Sequence, residues 1–190
     1  MSSYKYTKSA STVVGLLVTG LCLMSPQVRA GEVPDSYKVS QLLSQAKTQA
    51  YQLKEDASAL QSFVGSATEL QAQSHAVVLN QIKDHVNTVG RQLAQLEQNS
   101  TDASPWQKTA IERIRPLLQE LASNTTNVIN RLNQHPNQLR TGAYKDYVEA
   151  NADLAAQLSE MIADFVDYGK TKNRFERLGD KLEISGTDSQ

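Results

Sequence analysis

The sequence predicts an all-α protein, an antiparallel four-helix bundle of up-down-up-down topology that follows a cleaved signal peptide. Apolar residues recur at every seventh position after residue 36, polar segments with glycine or proline interrupt this pattern, and an apolar stretch lies near the amino terminus. A seven-residue period places apolar side chains on one helix face, whereas a β-strand has a period of two. Short links favour antiparallel neighbours. The chain thus divides into a signal peptide (residues 1–30), the bundle (31–184) and a disordered tail (185–190).

The first thirty residues have the three parts of a secretory signal peptide. Lys5 and Lys8 give a positive start, residues 13–24 are apolar, and Val28 and Ala30 are the small residues expected before a cleavage point. The apolar stretch is twelve residues long, whereas about twenty are needed to cross a bilayer. We therefore expect cleavage after Ala30, a secreted or periplasmic location, and no membrane span in the mature chain.

Removal of the signal peptide changes the chemistry of the chain. Cys22 is the only cysteine, and it follows Leu21, where a lipid-attachment site would have a small residue. We therefore expect a mature chain with no lipid anchor, no disulfide and no cysteine ligand for a metal. It would have 16 basic and 20 acidic residues, a formal charge of −4. This charge, without a cluster of Lys and Arg, argues against a nucleic-acid partner.

The first two helices are predicted at about residues 36–63 and 67–98. Each has two neighbouring apolar rows. In the first helix, one row is Val39, Ala46, Leu53, Leu60 and the other is Leu43, Ala50, Ala57, Val64. In the second helix, one row is Ala72, Leu79, Val86, Leu93 and the other is His75, Ile82, Val89, Leu96. Between them, Gly65 can close the first helix, and the capping box from Ser66 to Glu69 can open the second.

The third and fourth helices are predicted at about residues 105–133 and 143–182. A capping box from Ser104 to Gln107 opens the third helix, with Pro105 at its first position. Its apolar row is Ile111, Ile114, Leu118, Leu121, Thr125, Val128, Leu132. The predicted row of the fourth helix is Tyr147, Leu154, Met161, Tyr168, Phe175, Leu182, supported by Leu158, Phe165, Leu178.

Two features disturb the third helix. Pro116 removes a backbone hydrogen bond and should kink it. Residues 123–127 (SNTTN) are poor helix formers. The favoured interpretation is a bent helix that tertiary packing holds in place. The alternative is a polar groove beside the kink, where a ligand or partner would dock.

Acidic residues form a row along one edge of the fourth helix. The row is Asp146, Asp153, Glu160, Asp167, and it continues with the basic residues Arg174 and Lys181. This order suits the helix dipole, which favours anions near the amino end and cations near the carboxyl end. The row flanks the apolar seam, so its acids are expected to be solvated or to form ion pairs between helices, with Arg113, Arg115 and Arg131 of the third helix as candidate partners. The alternative is a binding edge for a cationic partner.

Catalytic chemistry has little support in the sequence. We find no Glu-x-x-His pair for a di-metal site, no nucleophile elbow and no phosphate-binding loop. We therefore predict no catalytic residues, no metal ligands and no cofactor. The alternative is a periplasmic bundle that holds a non-covalent haem through His75 and Met161, because histidine and methionine ligate haem in proteins.

The predicted function is therefore that of an exported, non-enzymatic helical bundle that acts through protein–protein or envelope interactions, in the manner of a chaperone. Its partner would be a protein or an envelope component, and an oligomer is compatible with the pattern. The polar stretch at residues 123–127 and the acidic edge of the fourth helix are the candidate contact surfaces.

Overall fold

The computed structural model describes residues 33–65 and 72–183, and within these residues the protein is entirely helical. The helices are α1 (Tyr37–Gly65), α2 (Ala72–Gln98), α3 (Pro105–Gln134) and α4 (Gly142–Lys181), with a short 3-10 turn at Ser100–Asp102. This confirms the predicted all-α class and its four helices. The signal peptide, the capping box that begins at Ser66 and the tail lie outside the described residues.

Contacts between the helices enclose one apolar core. Each helix packs against its neighbours in the sequence, and α1 also packs against α4. All the residues predicted for the apolar rows of α1, α2 and α3 are buried or partly buried. The seven-residue period therefore identified the inner faces of three helices correctly. No helix in the described ranges is long and apolar enough to cross a membrane.

The predicted core row of α4 is wrong. Tyr147, Tyr168 and Phe175 are 40%, 53% and 77% exposed, and Leu154 and Met161 are only partly buried. The buried face consists instead of Tyr144, Val148, Asn151, Ala152, Ala155, Leu158, Ser159, Ile162, Val166, Gly169. Half of these residues are small or polar, so the seven-residue repeat of large apolar residues does not identify this face. Small residues let a helix lie close to its neighbours.

Gly169 shows how close that approach is. A Cβ atom built at Gly169 would lie 2.7 Å from Cη2 and 2.9 Å from Cζ2 of Trp106. The indole ring has little freedom to move away, because its Nε1 donates a hydrogen bond to Asp35 Oδ1 at 2.6 Å and its edge packs on Tyr168, 5.4 Å between ring centroids. Glycine is therefore required at this point of α4 for steric reasons.

We expect Gly169→Ala to lower the free energy of unfolding by about 1–2 kcal/mol, because overpacking costs more than alanine gains in a helix. Gly90→Ala is the matched control, since a Cβ at Gly90 in α2 meets nothing within 4 Å. That change should raise stability by about 0.5–1 kcal/mol. Chemical denaturation of both variants measures the effects, and equal gains would contradict the close contact with Trp106.

A buried glutamine joins the start of α3 to the start of α1. Gln107 is fully buried, and its Oε1 accepts hydrogen bonds from the backbone N–H of Ser104 and of Ser36, both at 3.0 Å. Its Nε2 donates to the carbonyl of Ser36 and to Oγ of Ser40, both at 2.9 Å. The bond to Ser104 belongs to the predicted capping box. The three bonds to α1 and its preceding residue were not predicted.

Candidate functional site

An open groove of about 720 Å³ lies between α3 and α4. It lies beside Pro116 and along the middle of α4. Its lining consists of Glu112, Arg113, Pro116, Leu117, Gln157, Glu160, Met161, Asp164, Phe165, Tyr168. We call it the α3–α4 groove. It coincides with part of the acidic edge of α4, one of the two surfaces that the sequence indicated.

The groove combines an apolar floor with an acidic rim. Side chains on the floor, Leu117, Met161 and Phe165, are partly buried, whereas the acids Glu112, Glu160 and Asp164 are exposed. One cation, Arg113, lies with its guanidinium carbon 5.8 Å from the centroid of the Phe165 ring. The lining therefore has three acids and one base, which suits a ligand that is both apolar and positively charged.

The remaining acids of the edge do not all face this groove. Asp167 pairs with Lys47 of α1, with Oδ1 and Nζ 2.9 Å apart. The hydrogen bond from Lys47 lowers the pKa of Asp167 below its ordinary value. Asp167 is therefore anchored toward α1, whereas Glu160 lies on the rim of the groove.

The arginines of α3 do not form the predicted ion pairs with the acidic edge. Arg115 Nε lies 2.7 Å from Oε1 of Glu97 in α2. Arg131 donates a hydrogen bond to the side chain of Gln138 at 3.3 Å. Arg113 lies over an aromatic ring instead. Within the described residues, the rim acids Glu112, Glu160 and Asp164 thus have no salt-bridge partner within 4.0 Å.

Two residues of the polar stretch at 123–127, Asn124 and Thr125, contact α4, and no residue of the stretch lines the α3–α4 groove. Thr125 is buried, and its Oγ1 lies within hydrogen-bond distance of Asn151 Oδ1, at 2.9 Å, and of the carbonyl oxygen of Leu121, at 2.8 Å. Asn124 Nδ2 donates to the carbonyl of Tyr147 at 2.9 Å. These bonds fasten α3 to α4 and compensate for low helix propensity. Pro116 lies inside α3 and lines the groove, but the polar residues 123–127 do not.

His75 is a buried histidine with a protein partner. Its Nδ1 and the hydroxyl of Tyr144 lie 2.9 Å apart. Its ring also packs near Tyr144 and Phe63, with ring centroids 5.6 and 6.3 Å away. Burial lowers the pKa of His75 and raises the pKa of Tyr144, so both side chains are uncharged near neutral pH.

The structure does not bring His75 and Met161 together. His75 contacts Tyr144, which precedes Met161 by seventeen residues in α4. This separation corresponds to about 25 Å along the helix axis. Met161 lines the α3–α4 groove instead, so this conformation does not place the two side chains on one haem iron. No group of three or more metal-ligating side chains occurs in the part of the chain that the structure describes.

The sequence singled out four groove residues, each for another role: Glu160, Arg113, Met161 and Pro116. It missed Glu112 and Leu117 as groove residues, because their role depends on where α3 lies against α4. The spacing of Glu160 and Asp164, four residues apart beside Phe165, could have indicated an acidic and aromatic face on α4.

Comparison with protein-family models, with curated proteins and with solved structures finds no significant match to this chain.

Proposed function

We propose that this chain is an exported, non-enzymatic helical bundle that works by binding another protein in the α3–α4 groove, in the envelope or outside the cell. The observation that carries this proposal is the acidic rim around an apolar floor. Exposed carboxylates beside uncovered apolar side chains are a combination that a binding partner can use. This function agrees with the predicted removal of residues 1–30 and with a secreted or periplasmic location.

The proposal includes the up-down-up-down topology, which ion pairs between neighbouring helices support. Glu97, near the end of α2, pairs with Arg115 in the first half of α3. Lys47, in the first half of α1, pairs with Asp167 in the second half of α4. Antiparallel neighbours would produce such pairs. The groove then lies between two antiparallel helices and can accept a third helix along its length.

A cationic amphipathic helix is the ligand chemistry that fits this groove. Its apolar face would cover Leu117, Met161 and Phe165, and burial of apolar area contributes about 25 cal/mol per Å². Its lysine or arginine side chains would lie beside the rim acids. Exposed ion pairs contribute under about 1 kcal/mol each, so the rim would mainly set specificity and association rate.

Titration with labelled helical peptides tests the proposal. The protein is the exported form purified from its host, whose intact mass should correspond to a chain that begins at Gly31. We expect binding of a fluorescein-labelled peptide with leucine on one face and lysine on the other, measured by anisotropy. A peptide with glutamate in place of lysine should not bind. The combined change Glu112→Gln, Glu160→Gln and Asp164→Asn should weaken binding about tenfold or more.

A matched variant separates the groove from total charge. Glu55, Asp84 and Asp102 are exposed acids on α1, on α2 and in the 3-10 turn, outside the groove lining. Neutralising these three should leave affinity for the lysine peptide almost unchanged. Equal affinity for both peptides, or equal losses in both triple variants, would refute the proposed binding site.

A further inference from the structure

The apolar row of α4 that the structure leaves outside the core continues from the groove to the end of the helix. Met161, Tyr168, Phe175 and Leu182 follow each other at intervals of seven, and the last three are exposed. Phe165 and Leu178 lie beside this row. Residues at intervals of seven form a slowly drifting stripe on a helix, so the floor of the groove and the end of α4 present one continuous apolar surface.

The end of α4 has few contacts with the rest of the chain. Lys172 lies 3.5 Å from Asp35, and this is the last ion pair from α4 to another segment among those described. From residue 173 to residue 181, every residue except Gly179 is exposed, with Phe175 at 77% and Leu178 at 45%. An aromatic side chain as exposed as that of Phe175, with leucines on the same face, is typical of a surface that another molecule covers.

The charges beside this surface change sign along the helix. On the edge of the surface that contains Glu160, the acids Glu160 and Asp164 lie beside its first half, and Arg174 and Lys181 lie beside its second half. The acids Glu176, Asp180 and Glu183 lie on the opposite edge of the second half. If two α4 helices pair in parallel, acids meet acids and bases meet bases. If they pair antiparallel, the acidic half of each faces the basic half of the other. Opposite charges across a helix pair favour one orientation over the other.

We propose that the occupant of the α3–α4 groove is the end of α4 from a second copy of this chain. The inference rests on the proposed function, because it names the partner at that same groove. Each copy would insert residues 173–182 into the groove of the other, about a two-fold axis, so that one surface is used twice. In this arrangement the two helices have a single register, centred between residues 171 and 172. The apolar pairs across the interface are then Met161 with Leu182, Phe165 with Leu178, and Tyr168 with Phe175.

The same end of α4 fits an anionic membrane surface less well. Glu176 and Asp180 alternate with the basic residues and weaken their attraction for anionic lipid. Glu176 also holds Lys172 in an ion pair at 3.0 Å. In an antiparallel helix pair, however, the edge with Arg174 and Lys181 faces the edge with Glu160 and Asp164, and the acids on the opposite edge lie away from this contact. The observations thus favour a second copy over a lipid surface.

Sedimentation of the mature protein over a concentration series tests the proposal. We expect a dimer whose dissociation constant rises about tenfold or more in Phe175→Glu. Because Phe175 is exposed, this variant should melt as the monomeric wild-type bundle does, and Tyr51→Glu on α1, which also replaces an exposed aromatic residue, should remain dimeric. The double change Glu160→Lys with Asp164→Lys should also give monomers. Combining it with Arg174→Glu and Lys181→Glu should restore the dimer.

A wild-type chain that stays monomeric at every concentration would overturn the self-association. If such a monomer still binds the lysine peptide, the groove remains a binding site and only the proposed occupant is wrong. If the monomer binds neither a second copy of the chain nor the lysine peptide, both proposals are wrong. A dimer that Phe175→Glu does not dissociate would place the interface elsewhere and overturn this inference. Binding of a monomer to phosphatidylglycerol vesicles through Phe175 would also overturn it.

Discussion

Replacing Gln107 by glutamate is expected to lower the free energy of unfolding by about 3 kcal/mol, although glutamate serves as well as glutamine in a capping box. The carboxylate can still accept the N–H bond of Ser104. It cannot donate to the carbonyl of Ser36, which would then face a buried negative charge instead of an amide N–H. A buried polar group without its partner costs about 1–3 kcal/mol, and an unpaired buried charge adds to this cost.

Urea denaturation near neutral pH measures this loss. Gln119→Glu is the matched control, because it makes the same substitution at an exposed position of α3. Its effect should stay within about 0.5 kcal/mol. If both variants are equally stable, Gln107 acts only as a capping residue, and its bonds to Ser36 and Ser40 contribute nothing.

Gln107 also shows what local sequence patterns can predict. Its capping role follows from residues 104–107 alone, since both partners lie within one helical turn. Its bonds to Ser36 join residues 71 positions apart in the sequence, and no local pattern specifies such a pair. The same limit applies to Arg115, whose heptad position allowed a partner on either neighbouring helix. The structure pairs it with Glu97 of α2.

The four helices could be predicted because large aliphatic side chains repeat at sevens. In α1, α2 and α3 these side chains also form the core, so period and burial agree. In α4 the large side chains that repeat at every seventh position do not form the core. The inner face consists instead partly of small residues, including Ala152, Ala155 and Gly169, which allow close packing. The periodicity of Tyr168 and Phe175 was detected correctly, but a pattern cannot say what covers an apolar stripe. The groove was predictable only in part for the same reason, since its floor depends on the contact between α3 and α4.

Replacing Tyr144 by alanine is expected to lower the free energy of unfolding by about 3–5 kcal/mol near neutral pH. Tyr144 is the largest of the fully buried side chains, and its hydroxyl is the hydrogen-bond partner of His75. Tyr147→Ala is the control, because Tyr147 lies one turn further along α4 and is 40% exposed, whereas Tyr144 is buried. That change should cost within about 0.5 kcal/mol. Equal losses would mean that the inner face of α4 has been assigned wrongly.

The stability of the wild type and that of Tyr144→Ala should respond differently to acid. Burial holds the pKa of His75 in the folded wild type below its ordinary value, whereas in the unfolded chain it is about 6.5. As the pH falls below that value, the unfolded chain binds a proton that the folded chain does not, so the wild type loses stability. In Tyr144→Ala, water reaches His75 and its pKa rises toward the ordinary value, which makes this loss smaller. The contact between His85 and Asp56 is present in both proteins, so it does not contribute to the difference between them. The stability difference should therefore be largest near neutral pH and shrink toward about pH 5, and a difference that does not change with pH would show that Tyr144 does not keep water from His75.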